Sequence, residues 1–156
     1  MVILAPRMEE TEFLNDDYFM RIALSEAKIA FDEDEIPIGA VIVANKTVIA
    51  KAHNMTQRLN DVTAHAEMLA FTAASEYLQA KYLIDCTLYV TIEPCPMCAG
   101  AAYWTQVSRI VFGAPDIKRG YQTLQSSILH PTTTIKKNVL TDECSELMKK
   151  YFKGKR

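Results

Sequence analysis

The octapeptide Thr91-Ile92-Glu93-Pro94-Cys95-Pro96-Met97-Cys98 constrains this chain more than any other stretch. It follows a strand-like run, Leu88 to Thr91, and leads into a helix-like one, Met97 to Trp104, with Pro96 suited to a first helical turn. Cysteines at i and i+3 on such a turn share one face, with Cβ atoms ~5–6 Å apart, which suits two thiolates each ~2.3 Å from a tetrahedral metal ion. A helix N-terminus also favours the thiolate form. The fold must then bring further ligands to this point from elsewhere.

His65, in Ala64-His65-Ala66-Glu67, is the best candidate for a third ligand. Two other uses of Cys95 and Cys98 are a redox pair and a structural zinc ribbon. A redox pair expects a thioredoxin-like setting and leaves His65 and Glu67 without a task. A structural zinc wants a fourth protein ligand, yet Cys86 and Cys144 lie on segments that read as packed, and His53 and His130 are isolated. Three ligands with an open fourth position are the pattern of a catalytic zinc that activates water. Two thiolates and a neutral imidazole leave zinc formally uncharged, so the water is less acidified and a general base becomes more necessary. Glu67 fits that role, although an acid in a first helical turn is also favoured by the helix dipole alone. Residues i and i+2 reach one point only if His65 stands at the very start of the turn.

The rest of the chain supplies a scaffold. Its 156 residues suit a single domain with a real core, preceded by a loose segment over residues 1–14. Asn15-Asp16-Asp17 starts a helix, and Phe19, Ile22, Ala23, Ala27 and Ala30 recur at helical spacing before Asp32-Glu33-Asp34-Glu35 ends it. Ile38 to Val43 and Thr47 to Ala52 read as a hairpin around Ala44-Asn45-Lys46. A polar loop, His53 to Val62, precedes a second helix from Ala64 to about Gln79 with Ala66, Leu69, Ala70, Ala73 and Ala74 on its apolar face. Arg109 to Phe112 makes a fourth strand and Gly113 to Pro131 a long loop. Ile135 to Leu140 supplies a fifth strand or an edge, and Thr141-Asp142-Glu143 caps a last helix with Cys144, Leu147, Met148, Tyr151 and Phe152 inward. This order predicts an α/β fold, a three-layer α-β-α sandwich around a central mixed five-stranded sheet.

Charge is unevenly spread. Residues 1–40 carry ten acidic and three basic side chains, residues 117–156 nine basic and three acidic, which can make a basic patch or merely a solvated face. No apolar run approaches the ~20 residues of a membrane span, and Met1 to Pro6 is too short for a signal segment, so no membrane partner and a cytoplasmic location are expected. Glu93 is expected to bond backbone amides beside the metal loop. Asn54 could offer its amide to a polar heterocycle or serve as a turn residue. Tyr103 and Trp104 could line a pocket, with core packing expected for at least one of them.

His65-Ala66-Glu67 followed by Pro94-Cys95-Pro96-Met97-Cys98 resembles the signature of the zinc-dependent cytidine and deoxycytidylate deaminase superfamily. Ile36 to Val41, His53-Asn54, Thr63 to Ala70, Leu88 to Ala101, Phe112-Gly113-Ala114 with Asp116, Lys118 and Gly120, and the basic-aromatic end Tyr151 to Arg156 are most similar to the bacterial tRNA-specific adenosine deaminases. The resemblance implies one zinc ion per subunit on His65, Cys95 and Cys98, with Glu67 as proton carrier. It also implies substrate contacts from Asn54, Ala66, Tyr103, Trp104, Asp116 and Lys118, and a homodimer that binds a tRNA anticodon stem-loop and converts adenosine to inosine. Ala101 to Gln106 departs from the usual pattern, its aromatic pair resembling guanine deaminases, and the loop from Tyr121 to His130 is altered as well. Deamination of guanine to xanthine is therefore the alternative activity, and a zinc-stabilised interaction module the non-enzymatic one.

Overall fold

The computed structural model describes residues 14–155; the expected loose segment over residues 1–14 lies, except for Leu14, outside them. Helix α1, Asp16–Asp32, begins where expected: the Asn15 side chain accepts the backbone N–H of Tyr18 at 2.9 Å, and Asp16 and Asp17 sit in the first turn. Strands β1, Gly39–Ala44, and β2, Thr47–His53, form an antiparallel hairpin. Its two turn residues, Asn45 and Lys46, both take positive φ, 48° and 61°, as a tight hairpin turn with matching twist requires.

Helix α2, Ala66–Leu78, then crosses to β3, Cys86–Ile92, and helix α3, Pro96–Thr105, crosses to β4, Arg109–Ala114. A short edge strand β5, Thr134–Lys136, and helix α4, Thr141–Lys153, complete the fold. The sheet order is β2-β1-β3-β4-β5, with β1 antiparallel to β2 and β3, and β3, β4 and β5 parallel. This is the expected mixed five-stranded α/β sheet.

Strand alternation divides the core into two layers. Ala40, Ile42, Leu88, Val90, Ile110 and Phe112 face α2 and α3, while Val41, Val43, Tyr89 and Val111 face α1 and α4. Gly39 is required where α1 crosses the sheet, since a Cβ there would stand 2.0 Å from the Ala23 carbonyl oxygen. Because β2 and β3 both run antiparallel to β1, they are parallel to each other. The two successive strand–helix–strand crossovers therefore place α2 and α3 on one face, with their N-termini at one end of the sheet.

Several local expectations are corrected. The buried face of α2 is Ala66, Glu67, Ala70, Phe71 and Ala74, and Ala73 is exposed; the stripe is rotated because Phe71, not Ala73, fills the core. Leu140, not a polar side chain, precedes α4 in a left-handed conformation, and Thr141 Oγ1 donates instead to the Gly113 carbonyl at 2.9 Å. Phe152 is exposed. The fifth strand ends at Lys136, and the loop after Gly113 contains a 3₁₀ turn, Tyr121–Thr123. Among the described residues no helix is long and apolar enough to cross a membrane.

Candidate active site

His65 and Cys95 occupy equivalent positions. Each is the N-cap residue of its helix, in extended conformation (φ −71°, ψ 153° and φ −70°, ψ 168°), and neither side chain caps its own helix. Both side chains are thereby left to point at a common centre, and Pro96 at the first helical position leaves α3 one fewer unpaired N–H. His65 Nδ1 lies 3.6 Å from Cys95 Sγ and 3.5 Å from Cys98 Sγ. With bonds of ~2.3 Å to sulfur and ~2.0 Å to nitrogen, a tetrahedral zinc has a sulfur–nitrogen edge of ~3.5 Å, so the three donors fit that ion. Among the described residues this is the only group of three such side chains with ligand atoms all close together, within 4.8 Å of one another. A fourth tetrahedral position is left for a non-protein ligand.

The electrostatics match the donor set. The Cys95 thiol is drawn down to about 4, first by a hydrogen bond from Cys98 and then by His65, against the opposing effect of burial. The bond to Cys95 and burial push Cys98 up, and the same thiolate raises His65. Glu67 lies in the first turn of α2, 4% exposed, and burial raises its carboxyl above the usual range. Its Oε1 is buried with no hydrogen-bond partner, so the carboxyl keeps an oxygen for something outside the fold.

Residues 14–114 match the family described as the cytidine and deoxycytidylate deaminase zinc-binding region. The chain belongs to this deaminase family. The tRNA-specific adenosine deaminase of Aquifex aeolicus (strain VF5) is 42% identical over 144 residues, which cover 90% of this chain and 95% of that protein. A solved tRNA:A34 deaminase, from work on A-to-I editing at the wobble position of transfer RNA, is 40% identical with a TM-score of 0.79 and covers 83% of this chain and 98% of its own. A guanine deaminase from Bacillus subtilis is 40% identical with a TM-score of 0.62, over 65% of each chain.

The other candidate residues of the deaminase divide into two groups. Asn54 is 4% exposed at the end of β2; its N–H bonds to the Ile38 carbonyl at 3.0 Å, and the next N–H, of Met55, bonds to the Ala64 carbonyl at 3.0 Å beside His65. Ala66, the first residue of α2 after His65, is fully buried. Tyr103 and Trp104, by contrast, are 38% and 76% exposed in the last turn of α3, so neither is a core residue, and Tyr103 lies beside His130. Asp116 accepts the N–H groups of Lys118 and Arg119 at 3.1 and 3.0 Å and so shapes a turn, while Lys118 is exposed.

Glu93 anchors that turn to the metal loop. Its carboxylate accepts the N–H of Asp116 at 3.2 Å, the N–H of Gln122 at 3.1 Å and the Gln122 amide at 3.0 Å. Part of the basic charge is used internally, since Lys136 pairs with Asp16 and Lys155 with Asp34. One buried acid was not foreseen. Glu35, read as part of a helix-ending acidic run, is 1% exposed beneath the Asn54 loop; only its place next to the apolar run Ile36-Pro37-Ile38 distinguishes it in the sequence.

Proposed function

We propose that this chain, as one deaminase domain, converts adenosine to inosine at the wobble position of a tRNA anticodon by hydrolysis, releasing ammonia. The observation that carries the reading is the resemblance to tRNA-specific adenosine deaminases over nearly the full length of both partners, joined to the His65, Cys95, Cys98 and Glu67 group. The protein acts in the cytoplasm as a homodimer with one zinc ion in each subunit.

His65 through Nδ1, and Cys95 and Cys98 through sulfur, would hold the zinc. When bound it supplies Lewis acidity that makes water a nucleophile at neutral pH. Glu67 does the proton work. Burial favours its protonated form, so the carboxyl can take a first proton from water and deliver it to the purine ring, then take the second from the hydroxyl added at C6 and deliver it to the departing amine, leaving inosine and ammonia. One residue can serve both transfers because its buried Oε1 is left without a partner in the fold. Asn54 holds the base edge, and the buried Ala66 packs beside it. C6 cannot be attacked in a stacked base, so the target nucleotide is splayed out of the anticodon loop, with Asp116 shaping the turn that presents Lys118 to its backbone.

Guanine as substrate is favoured by the 40% identity to a guanine deaminase over 65% of the chain and by the aromatic pair Tyr103-Trp104. The interaction-module reading has no use for a buried carboxyl with an open oxygen. Incubating the protein with an adenosine-wobble anticodon stem-loop, and separately with guanine, and assaying for inosine and xanthine decides between the substrates.

A further inference from the structure

The loop that carries Asn54 has no apolar anchor over residues 57–63. Residues 57–63 are exposed, including Leu59 and Val62 at 49% and 84%, and Met55, near the start of the loop, is half-buried. Beside an exposed ion pair between Arg58 and Glu33 at 2.9 Å, the buried carboxylate of Glu35 gathers the loop's donors. Oε1 accepts the backbone N–H of Arg58 at 2.7 Å, and Oε2 accepts the N–H of Gln57 at 3.2 Å, the Asn54 amide at 3.4 Å and the Thr56 hydroxyl at 3.4 Å. These four neutral donors match the roughly four acceptor sites of a carboxylate. Burying a carboxylate is unfavourable unless its lone pairs are satisfied, and here each bond runs to one short loop.

Glu35 is itself firmly placed. Asp34, with φ 61°, ends α1 in a left-handed turn in which the Glu35 N–H bonds to the Ala30 carbonyl at 2.9 Å and the Asp34 N–H to Phe31 at 3.1 Å. The Tyr151 hydroxyl braces the same turn from α4, donating to the Asp34 carbonyl at 3.3 Å. The loop leaves this anchor and returns through the Met55–Ala64 bond to His65. One carboxylate therefore ties the rigid end of α1 to Asn54 and to the approach of a metal ligand.

We propose that Glu35 is a positioning residue: it seats Asn54 and the loop over residues 55–61 against the metal group and so sets how the target base is held. This rests on the adenosine-deaminase reading above. Glutamine has nearly the same shape but only one acceptor oxygen where both oxygens are in use. Glu35→Gln must leave either the Arg58 N–H or the donors on Oε2 facing an NH₂ group.

The test combines three readouts on the full chain: zinc per subunit, amide exchange at Gln57 and Arg58, and kinetics on an adenosine-wobble anticodon stem-loop. In Glu35→Gln the zinc stoichiometry stays as in the parent, exchange at Gln57 and Arg58 accelerates, and kcat/KM falls about 10- to 100-fold, as expected for loss of orientation without loss of chemistry. Because Glu35 acts through Asn54, the Glu35→Gln/Asn54→Ala double variant is no worse than Asn54→Ala alone within about twofold. Parental kcat/KM in Glu35→Gln, unchanged exchange, or losses that multiply in the double variant would each overturn the proposal. Should Glu35→Gln not fold, Glu35→Asp, whose shorter side chain cannot reach all four donors, is held to the same criteria. If the parent itself makes no inosine, the adenosine reading fails, and amide exchange alone upholds or overturns the seating role.

Discussion

His65 Nδ1 stands 3.5 Å from Cys98 Sγ, although the two residues are 33 positions apart and belong to different helices. Two parallel crossovers on one face of the sheet bring them together, and the match to a tetrahedral zinc edge depends on both helix starts. Cys98→Ala is therefore expected to lose the zinc that the parent carries in metal analysis, and to lower the melting temperature. Retention of one zinc per chain in that variant would mean a different ligand set.

Glu67 has the opposite profile. Its buried Oε1 lacks a partner, so neutralising the carboxylate relieves an unsatisfied buried group. Glu67→Gln is expected to keep its zinc, to melt no lower than the parent, and to lose about 10³-fold or more in turnover, within the usual range for a proton-transfer group. A variant as active as the parent would remove Glu67 from the mechanism.

Asp16 tests the scaffold. Arg109 donates to it twice, at 2.8 and 2.7 Å, and the Tyr89 hydroxyl and Lys136 donate at 2.8 and 2.9 Å. The Arg109 hydrogen bonds hold its carboxyl well below the usual range. A depressed folded-state pKa means that the stabilisation is fully present above the unfolded value of about 4 and is lost as pH falls through the folded one. Asp16→Asn should cost about 2 kcal/mol at neutral pH, where charge-assisted bonds are lost. The loss should shrink on acidification below about pH 4, where the parent forfeits the same stabilisation. Equal losses in urea melts at pH 7 and pH 3 would contradict this.

Much of the scaffold was legible in the sequence because short-range rules decide it. Asn15 and Asp16 start α1, Asn45-Lys46 turns the hairpin, and Cys95-Pro96 opens α3. The misreadings share a physical cause. Phe71 and Ala73 flank the shared row Ala66-Ala70-Ala74 on opposite sides, and only the sheet beneath α2 selects between them. Tyr103 and Trp104 are as compatible with a core as with a surface until the length of α3 is fixed. Glu35 could not be found because its partners, the Gln57 and Arg58 amides, follow it by more than 20 residues and are brought to it by the hairpin between.

Gly120 tests the link between the metal loop and the Asp116 turn. A Cβ there would lie 1.9 Å from Glu93 Oε2 and 2.2 Å from its Cδ, and the carboxylate cannot withdraw without breaking its bonds to Asp116 and Gln122. Gly120→Ala is expected to destabilise by about 1–3 kcal/mol, as overpacking does. It should also weaken binding of a stem-loop more than it changes zinc content. A melting temperature equal to the parent's would show that Glu93 is free to move.

The choice of base is the central claim, and product analysis tests it most directly. Zinc-loaded protein is incubated with an anticodon stem-loop carrying adenosine at the wobble position, and in parallel with guanine, and both mixtures are resolved by chromatography. The account predicts inosine at the wobble position and no xanthine; xanthine without inosine would contradict it.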